Sequence, residues 1–121
     1  MKTLLVPLVA TLLASAATAA PPPLEWLTSD VGDPYGAASI QQGRYDAAEK
    51  RLAQAYVRGQ RAPELLLNLA ALHARAGRGN AAQGLYREVL DQPNISLVTL
   101  SGTRWSHDVA QTGLGSDSNQ R

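Results

Sequence analysis

Two histidines, His73 and His107, are the only imidazoles in this 121-residue chain, and cysteine is absent. Side chains that titrate or attack near neutral pH are therefore few. His107 beside Asp108, with Ser106 before them, has the residue types of a catalytic pair. Consecutive residues on a helix point about 100° apart, however, so Asp108 is badly placed to orient His107. Helix capping is the expected role of Ser106. His73 lies in a strongly apolar segment and is expected to be a packed, hydrogen-bonded histidine. There is no His-Glu-x-x-His pattern, and two distant histidines make no metal site. Gly77-Arg78-Gly79 lacks the Lys-Ser/Thr of a phosphate loop and is expected to be a turn between helices. The reactive inventory thus predicts no catalysis, no cofactor and no metal ion. Without cysteine there is also no disulfide and no thiol-linked lipid.

Composition sets what can position such residues. Hydrophobic residues make up 45% of the chain, which is globular composition, with Ala and Leu prominent and no Phe. Small unbranched side chains favour helices that approach closely. The formal net charge of +1 argues against a dedicated nucleic-acid binder, which gathers Lys and Arg on one face. Residues 1–19 have the three parts of a secretory signal peptide. A basic start at Lys2 leads into an apolar stretch from Leu4 to Leu13, and small residues close it at Ala17-Thr18-Ala19. Cleavage is expected after Ala19, giving a periplasmic or secreted protein. The stretch is too short to span a bilayer, which takes about 20 apolar residues, and no later segment predicts a span. Cleavage removes Lys2 from the eleven Lys and Arg, leaving ten basic against ten acidic residues. Residues 20–32 are expected to form an extended Pro-rich leader, in which Leu24, Trp26 and Leu27 tuck against the helical body.

The next 61 residues, 33–93, repeat. Gly43-Arg44-Tyr45-Asp46-Ala47-Ala48-Glu49 matches Gly77-Arg78-Gly79-Asn80-Ala81-Ala82-Gln83 at a spacing of 77−43 = 34. The same spacing aligns Leu52 with Tyr86 and Ala55 with Val89. Each copy reads as helix, tight turn, helix. Asp33 and Pro34 are expected to cap and open a first helix that runs to Gly43. Asp46 with Glu49, and Asn80 with Gln83, read as caps of the second and fourth helices. Pro63 opens the third helix, whose leucines predict burial on more than one face. Gly84 lies inside the fourth helix at a cost of about 1 kcal/mol against Ala, and Pro93 ends that helix.

The series Leu69-Ala70, His73, Gly77, Ala82, Tyr86, Leu90, Pro93 resembles the tetratricopeptide repeat (TPR) family, whose consensus alternates large and small residues where paired helices cross. The resemblance covers about residues 33–93. It departs from the consensus at His73 and Val89, at Pro93, which comes one residue early, and at Gly32 in the first copy. It implies an all-α fold of two TPR-like helix-turn-helix repeats, an α-solenoid fragment. It also implies a protein-binding groove lined by first helices, here Glu64, Leu67, Asn68, Ala71, Ala74 and Arg75. In that groove Asn68 would bond a peptide backbone and Arg75 would meet a carboxylate.

Residues 94–114 do not continue the repeat. Ile95 to Leu100 alternates, and Ser101-Gly102 followed by Thr103-Arg104-Trp105 predicts a β-hairpin. A short capping helix is expected after Ser106, through Leu114, and residues 115–121 read as a disordered tail. The hairpin either covers the end of the last helix pair or offers an edge to a partner strand. Solenoid repeats need about three copies for independent stability, and this chain has two. The resemblance and the shortage together predict a non-catalytic protein–protein interaction module or scaffold of the cell envelope, binding another protein or peptide there. The alternative is a structural subunit that self-assembles into a homo-oligomer through open repeat ends.

Overall fold

A computed structural model describes residues 33–118. The expected signal peptide and leader lie outside these residues, as do residues 119–121. Helices α1 (Ala37–Gln41), α2 (Tyr45–Val57), α3 (Pro63–Arg75) and α4 (Gly79–Leu90) come first. Strands β1 (Ser96–Thr99) and β2 (Gly102–Trp105) follow, then helix α5 (Ser106–Ser118). The described chain is thus mostly helical, with one small antiparallel hairpin. Among the described residues no helix is long and apolar enough to cross a membrane.

The corners between helices explain the 34-residue spacing. At the end of α1, Gly43 N–H donates to Ile40 O and Arg44 N–H to Ser39 O. At the end of α3, Gly77 N–H donates to Ala74 O and Arg78 N–H to His73 O. Every partner is displaced by 34 residues. Gly43 and Gly77 have φ of 74° and 80°, the left-handed conformation that closes a helix with this bond pair. The same bonds correct the expected caps. Arg44 and Arg78 stand at the N-caps of α2 and α4 with no side-chain capping bond, and Asp46 and Asn80 fall inside the helices. The corner is so short that the residue closing one helix already begins the next, which leaves no position for a separate polar cap.

The first helix is also shorter than expected. The chain turns at Pro34–Gly36, and Gly36 sits against Ala48 and Leu52 of α2. Helix geometry therefore starts only at Ala37. The N-cap is therefore Gly36, not Asp33 followed by Pro34, although Asp33 Oδ1 still accepts the Ala38 N–H of the first turn at 3.1 Å.

The core runs through all the helices. Ile40, Ala48, Leu52, Leu65, Leu66, Leu69, Leu72, Ala82, Val89, Leu97 and Ala110 are all buried within one cluster. At a few tens of cal/mol per Å² of apolar surface, this cluster is the main stabilising term. The hairpin register pairs Leu97 with Arg104 and Thr99 with Gly102, so Leu100-Ser101 make the turn and Gly102 belongs to β2, not to the turn. Thr99 pins that turn: its Oγ1 accepts the Ser101 N–H and donates to Gly102 O at 2.7 Å. Leu97 and Thr99 face inward while Val98 faces out.

Ser106 is the first residue of α5, not its cap. The cap is Asn94, whose Oδ1 accepts the His107 N–H at 3.0 Å and the Ser106 hydroxyl at 3.3 Å. Capped in this way, α5 continues past Leu114 to Ser118, further than the tail boundary expected from sequence. It covers α4 and α3, with Gly113 against the ring of Tyr86.

Candidate functional site

The groove expected on α3 is only partly open. Leu67 and Asn68 are buried. The Asn68 amide donates to Tyr35 O at 2.9 Å, so its hydrogen-bonding capacity ties the leading turn to α3. Glu64, Ala71 and Ala74 are half-buried, and Ala74 lies against the core. Arg75 is exposed but rests over the ring of Tyr45, 4.0 Å from its centroid. The Tyr35 phenol is pushed up by burial and then by the Glu64 charge. The two residues expected to bind a peptide therefore bond or stack within the chain. The cause is local: the turn before the shortened α1 descends onto α3.

An open surface lies on the other side, along α2 and α4. Ties at both ends show that these two helices run the same way. Glu49, early in α2, meets Arg78 at the start of α4, and Tyr56, late in α2, donates to Glu88 of α4 at 3.0 Å. Between the ties runs a groove of about 420 Å³. Leu69 and His73 of α3 contribute to it from below, and Ala53, Ala81 and Gly84 keep its walls low. Val57, 85% exposed, stands on the rim. Beside it Lys50, Gln54 and Arg58 line an adjoining hollow. Among the described residues Lys50 and Arg58 make no ion pair, whereas Arg51, Arg61 and Arg78 do. Apolar walls with unpaired cations on one lip make a surface that attracts an apolar segment flanked by carboxylates.

Each end of the groove is held by a small charged cluster. At one end the Arg61 guanidinium stacks on Tyr56, 3.6 Å from the ring centroid, and pairs with Glu88 at 2.9 Å. The Tyr56 phenol is pushed up, chiefly by its hydrogen bond to Glu88, then by burial and the Glu88 charge, with Arg61 opposing. At the other end Arg78 bridges Glu49 and His73.

His107 is engaged at the start of α5. Its Nε2 bonds Gln92 O at 2.7 Å and its backbone N–H bonds Asn94. Among the described residues no three His, Asp or Glu side chains gather as a metal-binding group. A second apolar surface lies on the hairpin, where Ile95, Val98, Leu100 and Trp105 are exposed.

Sequence reasoning missed the α2–α4 groove. Its signal was present in Gly84, a helix-weakening residue on a face of small side chains, and in Val57, an apolar residue off the face of α2 that buries Ala48 and Leu52. Compared with models of known protein families, with curated proteins and with solved structures, the chain matches none.

Proposed function

We propose that this chain is a non-catalytic protein-interaction module, a two-repeat TPR-like stack closed by a hairpin and a helix, exported to the envelope or beyond. The export part of this reading rests on residues 1–19 and the repeat part on the two matching corners at Gly43 and Gly77. The carrying observation is the α2–α4 groove, apolar between its charged ends, with Lys50 and Arg58, which have no ion pair among the described residues, on one lip. Its occupant is an amphipathic helix of another protein, laid along α2 and α4 with its apolar stripe inward and acidic residues beside the stripe. Ala53, Ala81 and Gly84 let that helix come close, and Val57 is the apolar side chain it covers.

Site-specific photo-crosslinking in the producing cells tests this. A photoreactive side chain replaces Ala81 in one variant and Gln111, on the exposed face of α5, in a control. The reading expects one partner at position 81 and none at 111. The crosslinked peptide should map to a helix with flanking Asp or Glu, and the product should be lost with Val57→Asp. No crosslink at 81, or one indifferent to Val57→Asp, overturns the groove. A crosslink from 81 to a second copy of this chain favours the self-assembling subunit instead.

A further inference from the structure

His73 sits where α2, α3 and α4 meet at the N-terminal end of the groove. Its Nδ1 is 2.9 Å from Arg78 Nε. Arginine only donates, so this contact requires a lone pair on Nδ1 and hence a neutral ring with its proton on Nε2. The same Nδ1 is 3.6 Å from Glu49 Oε1, just beyond hydrogen-bond reach. Arg78 is itself paired with Glu49.

We propose that His73 is a proton-operated latch. Neutral, it accepts from Arg78 Nε and fixes that side chain beside Glu49; protonated, it releases Arg78 Nε and donates to Glu49, while the backbone bond from Arg78 N–H to His73 O keeps the corner closed.

The exchange follows from donor counting. One proton taken from solvent onto Nδ1 removes the acceptor and sets two donors face to face. Arg78 Nε–H must then leave, while the new N–H finds the Glu49 carboxylate a short movement away. The groups facing the ring are Glu49 from α2 and Arg78 from the N-cap of α4. On its own helix Arg75 is drawn off over Tyr45, and at the far end of the groove Tyr56 and Glu88 engage each other. On α5, His107 is bonded to Gln92 O. Burial, the larger influence, and Arg78 hold the His73 pKa below the ordinary histidine value, with Glu49 opposing. The latch therefore stays closed at neutral pH and opens on acidification. The Arg78–Glu49 pair ties α4 to α2 at this end of the groove, beside Asn80 and Ala81, so the exchange alters that tie. As a regulator of binding the latch rests on the reading above, whereas the partner exchange stands without it.

Imidazole NMR titration of the full chain is the test, with Arg78→Gln and Glu49→Gln beside the parent. The parent His73 should titrate below about 6.5, the ordinary value. Arg78→Gln should raise the midpoint and Glu49→Gln should lower it. The Arg78 Nε–H signal, protected from exchange at about pH 7.5, should lose protection as His73 protonates. A midpoint at or above the ordinary value, or one that ignores both substitutions, overturns the latch. So does an Arg78 signal indifferent to pH.

A synthetic Leu/Ala-striped helix flanked by glutamates separates the two readings. If it binds the parent equally at about pH 7.5 and about pH 5, regulation of the groove fails while the groove stands. If it binds at neither pH and His73 titrates as expected, the groove fails while the exchange stands.

Discussion

Gly113 in α5 and Gly84 in α4 both place a glycine inside a helix, and they stand on opposite kinds of surface. A Cβ on Gly113 would clash with the ring of Tyr86, most closely with its Cζ, whereas a Cβ on Gly84 would meet nothing within 4 Å. The first glycine is explained by the fold: it lets α5 seat on a buried tyrosine. The second costs helix stability, and no described residue of its own chain needs the space. Two surfaces of α4 thus differ in one respect, that the α5 side is filled from within and the α2 side is open. The contrast teaches that a small residue is informative where no neighbour needs it.

The largest expected effect comes from closing the filled side. Gly113→Ala gains helix propensity but forces a methyl into the Tyr86 ring, which is itself buried. Overpacking of this kind costs about 1–3 kcal/mol. The urea midpoint should fall with an unchanged slope. A rise would mean that α5 is not held against α4 as described, and the contrast between the two glycines would disappear.

Asn94→Ala comes next. Its Oδ1 serves both the His107 N–H and the Ser106 hydroxyl. Loss of such a cap costs about 1 kcal/mol. Hydrogen exchange should rise first in α5 and the hairpin, with α2 and α3 unaffected. Uniform loosening would show that the filled side has no separate anchor.

Which of these features the sequence discloses follows from how far apart their causes lie. The corners at Gly43 and Gly77 were legible because a left-handed closure is written in adjacent residues. The caps were not, because the closing residue of one helix doubles as the N-cap of the next and hides Asp46 and Asn80 inside. Asn94 was illegible as a cap for a different reason: it reaches α5 across an intervening hairpin. Asn68 was placed in a groove by family resemblance, and the turn at Tyr35 buried it. The fit of Gly113 to Tyr86 depends on a contact that no local pattern encodes.

Gly84→Ala should act in the other direction. With open space at the Cβ, the substitution should stabilise the chain by about 1 kcal/mol. Under the proposed reading the added methyl also raises one wall of the groove and weakens partner capture. A variant more stable yet less able to bind would separate folding from function at one residue. A variant more stable with full binding would remove Gly84 from the site.

Val57→Asp is expected to do least to the fold and so tests the open side most cleanly. Val57 is 85% exposed, and substitutions at such positions usually shift stability by less than about 0.5 kcal/mol in either direction. The new carboxylate lies beside Lys50 and Arg58, which have no ion pair among the described residues, so their attraction offsets the unfavourable charge at the C-terminal end of α2. The same carboxylate would occupy the cations that the proposed partner uses and remove the apolar contact at the rim. Unfolding should therefore be unchanged while crosslinking from position 81 is lost. If crosslinking persists, the groove is merely an uncovered seam between helices. Apolar surface seeking a partner would then have to be sought on the hairpin, at Val98, Leu100 and Trp105.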